Sequence, residues 1–319
     1  MRKPIVFLFS GQGSHYYQMG RELFTQNSTF KQWLLTGDSI FQSQTGQSLL
    51  HELYSDQHKK SDIFKRTLFT HPAIFIVQYA LAQTLIAEGI EPDLVVGTSL
   101  GEFAAAVVAG CIDFESALKT VILQAQLIES YCSPASMLAV LHSPEIYHTQ
   151  SYLHQRSEMA SSNFHQHFVL SSSLNQLGEI ESFLKAQNIT TQFLAVSHGF
   201  HSRYIDTAKT SFLEAINLLP LKPPQLSHIS CIYAKQINNK KLDYFWDIIR
   251  KPILFQQTIQ TLETENHYQY IDVGPAGTLT TFVKYNLAST SNSIILPTLL
   301  TPYGHKANAI THLKMALNL

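Results

Sequence analysis

The run Asp93-Leu-Val-Val-Gly-Thr-Ser-Leu-Gly-Glu102 restricts the fold of this chain more than any other stretch. Glycines at 97 and 101 bracket Ser99 in a G-x-S-x-G pattern, Leu94-Val95-Val96 before it reads as a short apolar strand, and Phe103-Ala-Ala-Ala-Val-Val108 after it reads as a helix. A strand that turns directly into a helix leaves no room for side chains beside the turn, which is why glycine is needed there. The serine hydroxyl is then held at a helix N-terminus, where free N–H groups favour negative charge. This is the setting of a nucleophile elbow, and it makes Ser99 the candidate nucleophile.

The remaining periodicity predicts an α/β architecture around that turn. Residues 5–9 form a continuous apolar run, a buried parallel strand that feeds the glycine loop Ser10-Gly-Gln-Gly-Ser14 and a helix near 17–24. Helices are expected over 70–88, from the elbow to Ala109 with Gly110 as its stop, and over 113–130 behind an Asp113 N-cap. After Ser133-Pro134 the elements become shorter and more polar. Strands near 137–141 and 168–172 flank a polar helix near 144–158, followed by a helix near 178–187 and a strand near 191–196. The β-α-β-α-β succession predicts a small α+β subdomain over 134–198, inserted into a discontinuous large domain of residues 1–133 and 199–319. Long apolar segments then return, with a helix after His201, strands near 229–233 and 268–273, and a glycine turn at 274–277.

Composition excludes several classes of partner. The 22 Lys and Arg nearly balance 23 Asp and Glu, so the net charge of −1 provides no whole-molecule field for nucleic acid or a membrane surface, and neither is expected as a partner. No uninterrupted apolar stretch reaches the roughly 18 residues of a membrane span. Met1-Arg-Lys-Pro-Ile-Val-Phe-Leu-Phe-Ser10 runs straight into the glycine loop and reads as a first strand of a cytoplasmic protein rather than a signal peptide. Cys111, Cys132 and Cys231 are odd in number and far apart, which indicates neither a disulfide framework nor a zinc site. No metal or organic cofactor is expected.

Three separated segments together resemble one family. Phe9-Ser-Gly-Gln-Gly-Ser14, Gly97-Thr-Ser-Leu-Gly-Glu102 and Val196-Ser-His-Gly-Phe-His-Ser202 are similar to the F-P-G-Q-G-S, G-H-S-x-G-E and S-H-A-F-H-S segments of malonyl-CoA:acyl-carrier-protein acyltransferases. Tyr244-Phe-Trp246, Lys251-Pro-Ile-Leu-Phe255 and Tyr270-Ile-Asp-Val-Gly-Pro275 extend the similarity over nearly the whole chain. The resemblance implies a hydrolase-like parallel-sheet large domain with a ferredoxin-like small subdomain. It implies Ser99 as the acyl-carrying nucleophile and His201 as its base. The backbone N–H groups of Gln12 and Leu100 would form the oxyanion hole, and the main-chain carbonyl of Leu254 would orient the histidine. It places Phe200 and Asn163 at the substrate, the latter before a strand. The implied substrates are acyl thioesters of carrier protein or coenzyme A, with the phosphopantetheine arm belonging to the substrate. Carrier proteins are usually acidic, and local basic pairs occur at Lys59-Lys60, Lys65-Arg66, Lys240-Lys241 and Arg250-Lys251.

The departures from the family pattern bear on specificity. Members that load malonyl groups carry an arginine on the helix after the elbow, whose fork holds the free carboxylate. An ungapped alignment from Ser99 puts Gln124 there, and no arginine occurs between Arg66 and Arg156. A neutral amide cannot offset the burial of a carboxylate. His71 stands where the family usually has a pocket glutamine, and Thr98 replaces the histidine before the nucleophile. The expected pocket therefore takes an uncharged acyl group, and the chain looks most similar to the free-standing acyl hydrolases that proofread trans-acyltransferase polyketide synthases. Two alternatives stay open, an acyltransferase that loads acetyl, malonyl or another acyl group onto a carrier protein, and a catalytically inactive docking homologue.

Overall fold

The computed structural model describes residues 2–238, 241–303 and 308–319. In chain order its strands are β1 (Ile5–Phe9), β2 (Leu94–Gly97), β3 (Ser136–Val140), β4 (Glu158–Phe164), β5 (His167–Ser172), β6 (Thr191–Phe193), β7 (Ser227–Ser230), β8 (Lys235–Gln236), β9 (Gln269–Asp272) and β10 (Ile294–Ile295). β1 is apolar throughout and buried throughout, as a strand covered on both faces must be. It sits centrally in a six-stranded sheet of order β10-β9-β1-β2-β7-β8, parallel except for the terminal hairpin strand β8. The C-terminal ends of β1 and β2 thus lie side by side, with Phe9 paired to Gly97. Loops leaving those two ends carry the Gly-Gln-Gly segment and Ser99, which is where ligands bind in open parallel sheets.

One face of this sheet is covered by three long helices. Thr67–Ala87 packs against Ser28–Thr45 and Phe114–Tyr131, and the last begins where the Asp113 side chain accepts from Ser116 N at 2.8 Å. The Thr67–Ala87 helix has 21 residues and a mean hydropathy of 1.2 in its most apolar window, enough by length and composition to cross a membrane. Here 89% of that window is buried inside the protein, so the helix forms the core of the three-helix layer.

The smaller sheet has order β4-β5-β3-β6 and is antiparallel throughout. Two short helices (Glu145–Thr149 and Ser151–His154) connect β3 to β4, and Leu174–Lys185 connects β5 to β6. This β-α-β-β-α-β succession is the ferredoxin-like arrangement. The sequence predicts one strand fewer, because β4 is hidden by register shifts between Met159 and Ser161 and between Ser162 and Phe164 that break its alternation. The polar helix expected over 144–158 is correspondingly shorter, and Asn163 lies inside β4 rather than ahead of a strand. After His201 the chain forms a 3-10 turn (Arg203–Ala208) before the helix Lys209–Ala215.

The contacts that fasten the small sheet to the large domain include two sets along β4. Ile253 N donates to Ala160 O and Ser162 N donates to Ile253 O, both at 2.9 Å, so the 251–254 segment is bonded along β4. Glu158 receives Arg203 Nε at 2.7 Å and Arg250 Nη1 at 3.1 Å, and Arg250 Nε also reaches Asp206 at 2.6 Å.

The close packing behind the elbow makes a simple stability contrast. A Cβ at Gly101 would lie 2.1 Å from Phe9 O, whereas one at Gly178, inside the Leu174–Lys185 helix, would meet nothing within 4 Å. Gly178→Ala is expected to stabilise the protein by about 0.5–1 kcal/mol through helix propensity. Gly101→Ala is expected to destabilise it by about 2–4 kcal/mol through overpacking against backbone. Urea denaturation followed by far-UV circular dichroism measures both, and equal midpoints for the two variants would contradict the packing.

Candidate active site

The elbow is built by backbone proximity. Ser99 adopts φ +50°, and a Cβ at Gly97 would lie 2.5 Å from Glu102 Cα. Thr98 N donates to Phe9 O at 3.0 Å, joining the turn to the end of β1. Beneath the turn, Glu102 is fully buried and accepts from His228 Nε2 (2.8 Å), Ser230 Oγ (2.6 Å), Cys231 N (2.9 Å) and Tyr244 Oη (2.5 Å). A carboxylate so surrounded is stabilised against desolvation and ties the elbow helix to the end of β7. The sequence places Glu102 in the motif without disclosing this role, since its partners come from far along the chain.

His201 Nε2 lies 2.9 Å from Ser99 Oγ, and its Nδ1 lies 2.7 Å from Lys251 O. A carbonyl can only accept, so Nδ1 carries the ring proton and Nε2 presents its lone pair to the serine hydroxyl. The orienting carbonyl is that of Lys251 and not of Leu254. Leu254 O is occupied as the first acceptor of the Phe255–Glu265 helix, taking Thr258 N at 2.9 Å and Thr258 Oγ1 at 2.8 Å. His201, at φ +59°, also donates its own N–H to Ile249 O at 2.7 Å. The C-terminal end of helix Leu242–Arg250, with its surplus carbonyls, therefore grips both the backbone and the ring of the histidine. Burial, partly offset by the Lys251 carbonyl and reinforced by nearby Arg250, lowers the His201 pKa to about 4. The imidazole is neutral at pH 7 and available as a base.

The Gly-Gln-Gly loop sits directly against Ser99, since a Cβ at Gly11 would lie 2.8 Å from Ser99 Cβ. Among the described residues, neither Gln12 N–H nor Leu100 N–H has a hydrogen-bond partner within the protein. Both flank Ser99 and are available to an oxyanion. The loop is held by residues on the Thr67–Ala87 helix: Gln12 Nε2 donates to Thr70 Oγ1 at 3.0 Å, and Gln12 Oε1 accepts from His71 Nε2. Two turns further along, Gln78 clamps Ser10 from both sides, accepting from its N–H at 2.6 Å and donating to its carbonyl at 2.9 Å. The sequence signal for Gln78 is a lone amide amid Phe75-Ile-Val-Gln-Tyr-Ala80, where only a satisfied polar group is tolerated.

Ser99 and His201 open into a cavity of about 290 Å³ between the elbow and the small sheet. Alternate residues of that sheet form one wall: Met137, Ala139 and Leu141 from β3 and its end, Ser161 and Asn163 from β4, His167 and Val169 from β5. Phe200, Ile249, Ile253, Leu279 and Phe282 complete an apolar lining in which no Asp, Glu, Lys or Arg occurs among the described residues. Asn163 Nδ2 contacts His167 Nδ1 at 2.9 Å and donates to Ser161 Oγ at 3.1 Å. His167 was not singled out by its sequence surroundings. Phe200 packs at 5.1 Å from the His71 ring, which also lines the cavity. Gln124 is fully buried but does not line it; its amide lies behind His71. His198 does not line the cavity; its Nδ1 lies 3.2 Å from Thr67 Oγ1. Of the basic pairs, Lys60, Arg66, Arg250 and Lys251 each have an acidic partner within 4.0 Å, and Lys240 lies outside the described residues.

Residues 6–314 match the acyl transferase domain family. The chain belongs to that family. A polyketide biosynthesis acyltransferase homolog of Bacillus velezensis, BaeD, is 42% identical over 314 residues, covering 98% of this chain and 96% of that protein. Its counterpart in Bacillus subtilis, PksD, is 40% identical over 284 residues, 89% of this chain and 88% of that one. Among solved structures, the acyltransferase domain from the second module of the salinomycin polyketide synthase superposes with a TM-score of 0.87 at 26% identity, covering 98% of this chain and 72% of that one. A loading acyltransferase from the avermectin synthase shares the fold with a TM-score of 0.89 at 20% identity, over 99% of this chain and 100% of that one. The family's mixed α/β fold, with a parallel sheet and a small antiparallel one, is the architecture described above.

The two buried histidines at this site set an expected pH response. Burial lowers His201 to about 4 and His71 to about 3, against an ordinary 6.5. The unfolded chain takes up protons on these groups below pH 6.5 while the native state does not. Each therefore withdraws up to about 1.4 kcal/mol of stability per pH unit as pH falls from 6.5 toward its folded value. Hydrolysis of p-nitrophenyl acetate, measured as kcat/KM from pH 3.5 to 8 alongside thermal melts, is expected to show its acid limb near pH 4. A limb at 6.5 in protein that is still folded would contradict a buried neutral base.

Proposed function

We propose that the protein is a serine-dependent acyl hydrolase that clears uncharged acyl groups from acyl-carrier-protein thioesters in polyketide biosynthesis. The supporting observation is the pairing of a nucleophile and base at hydrogen-bonding distance with a cavity whose described lining has no charged side chain. Ser99 Oγ adds to the thioester carbonyl as its proton passes to His201 Nε2, and the resulting oxyanion faces the N–H groups of Gln12 and Leu100. The C–S bond then breaks, and the pantetheine thiol leaves with the proton from His201. Water repeats the sequence on acyl-Ser99 with His201 again as base, releasing the free acid and restoring the serine. Loss of one oxyanion donor in such a scheme costs about 10²–10³ in rate. The pantetheine arm arrives on the substrate, and the proposed chemistry uses no other cofactor and no metal. The partner is a carrier protein of a polyketide synthase, with coenzyme A thioesters as surrogate donors.

A second reading is favoured by the names of the relatives, BaeD and PksD, which are called acyltransferase homologs. A carrier-protein thiol in place of water would make the same two residues a transferase. Incubating the protein with acetyl- and longer acyl-carrier proteins, and following free acid and acceptor-bound acyl by intact mass, separates the two. Free acid is the expected product; acyl groups appearing on a second carrier with no acid released would establish transfer instead. Unchanged thioesters, together with full pathway complementation by Ser99→Ala, would point to a docking role. Malonyl groups are expected to be turned over about 10²-fold more slowly than acetyl groups, because their carboxylate would be buried without a cation.

A further inference from the structure

We infer that His71 is a positioning residue, which fixes the Gln12 oxyanion donor by clamping the Gln12 side chain from the Thr67–Ala87 helix. The inference rests on the reading of Ser99 as the acyl-carrying nucleophile and assigns a role to a position that the sequence places only at the substrate. Gln12 lies between Gly11 and Gly13, and Gly13 adopts φ +102°. A loop with glycine on both sides has little conformational preference of its own, yet a donor for a developing oxyanion must be held in place before the reaction. The neighbouring backbone is tied at Gly11, whose carbonyl accepts from Ser14 Oγ at 2.8 Å, and at Gly13, whose N–H donates to His15 Nδ1 at 3.2 Å, and the Gln12 side chain adds an anchor at the donor residue itself.

Both ends of the Gln12 amide are taken by neighbouring residues of one buried helix. Thr70 Oγ1 accepts from Nε2 at 3.0 Å, and His71 Nε2 donates to Oε1. The amide oxygen can only accept, which requires the His71 proton on Nε2 and leaves Nδ1 as the bare nitrogen. Among the described residues Nδ1 has no partner within hydrogen-bonding distance, and neither has either polar atom of Gln124, whose nearby amide offsets only a small part of the cost of charging the ring. A charged ring would gain no counter-charge in these surroundings, and burial lowers the His71 pKa to about 3. The ring is thus kept neutral in one tautomer, with its donor aimed at Gln12. Phe200 closes one side at 5.1 Å, leaving the imidazole little freedom to swing into the cavity.

The test uses the full-length protein with p-nitrophenyl acetate and a fluorophosphonate. In the second reaction Ser99 Oγ bonds to phosphorus, fluoride leaves, and the serine proton passes to His201; the adduct is read by intact mass. His71→Phe, which keeps a ring against Phe200 but loses the donor, is expected to lower kcat and the labelling rate about 10- to 100-fold with KM within twofold. His71→Gln, which retains an amide donor, is expected to recover most of the loss. Gln12→Ala should lose as much as His71→Phe, and the double variant no more than either. Gln12→Ala also tests the link if His71→Phe does not fold, and unchanged kcat in it would overturn the clamp. A raised KM with unchanged kcat in His71→Phe, or losses that multiply in the double variant, would also overturn it. Wild-type protein left unlabelled at Ser99 would instead refute the reading of the nucleophile, an outcome distinct from equal labelling of wild type and His71→Phe.

Discussion

The rest of the site depends on one close approach, the contact between the first residue of the elbow helix and the end of the central strand. Gly101 brings its α-carbon so near the Phe9 carbonyl that a methyl group would have to occupy the same space. That approach places the end of β1 beside the turn of β2, and the two loops leaving those strands arrive at the same point in space. One carries Ser99 and the N–H of Leu100, the other the N–H of Gln12. The left-handed backbone at Ser99, of a kind that costs about 1–3 kcal/mol, is held by these contacts and by the buried Glu102 network beneath them.

Among the described residues no carboxylate hydrogen-bonds to the His201 imidazole, whose nitrogens face Ser99 Oγ and Lys251 O. The helix end that holds the histidine presents carbonyl dipoles, which fix the tautomer without adding a formal charge. A carboxylate in that position would favour the protonated ring and raise its pKa, whereas here burial dominates and the imidazole rests neutral.

Much of the large domain was legible because its signals are local. The apolar run 5–9, the elbow glycines, the Asp113 cap and the long apolar helix each announce themselves within a few residues. Ser99, His201 and Gln12 were legible through motifs, and the structure brings them together. What escaped was set by tertiary pairing. The bulges of β4 conceal a strand, and the choice between Lys251 and Leu254 turns on which carbonyl the following helix consumes. Gln124 was placed at the substrate by counting along a helix, but it is separated from the cavity by His71, a relation that linear spacing does not express.

The bonding of the 251–254 segment along β4 has a consequence for remodelling this scaffold. Lys251, whose carbonyl sets the tautomer of His201, is two residues from Ile253, whose backbone is paired to Ala160 and Ser162 of the small sheet. The sheet that walls the cavity beside Ser99 is therefore also part of the mount of His201. Exchanging the small subdomain alone to alter acyl preference would cut through that mount, so the exchangeable unit is the four strands together with the strap at 251–254.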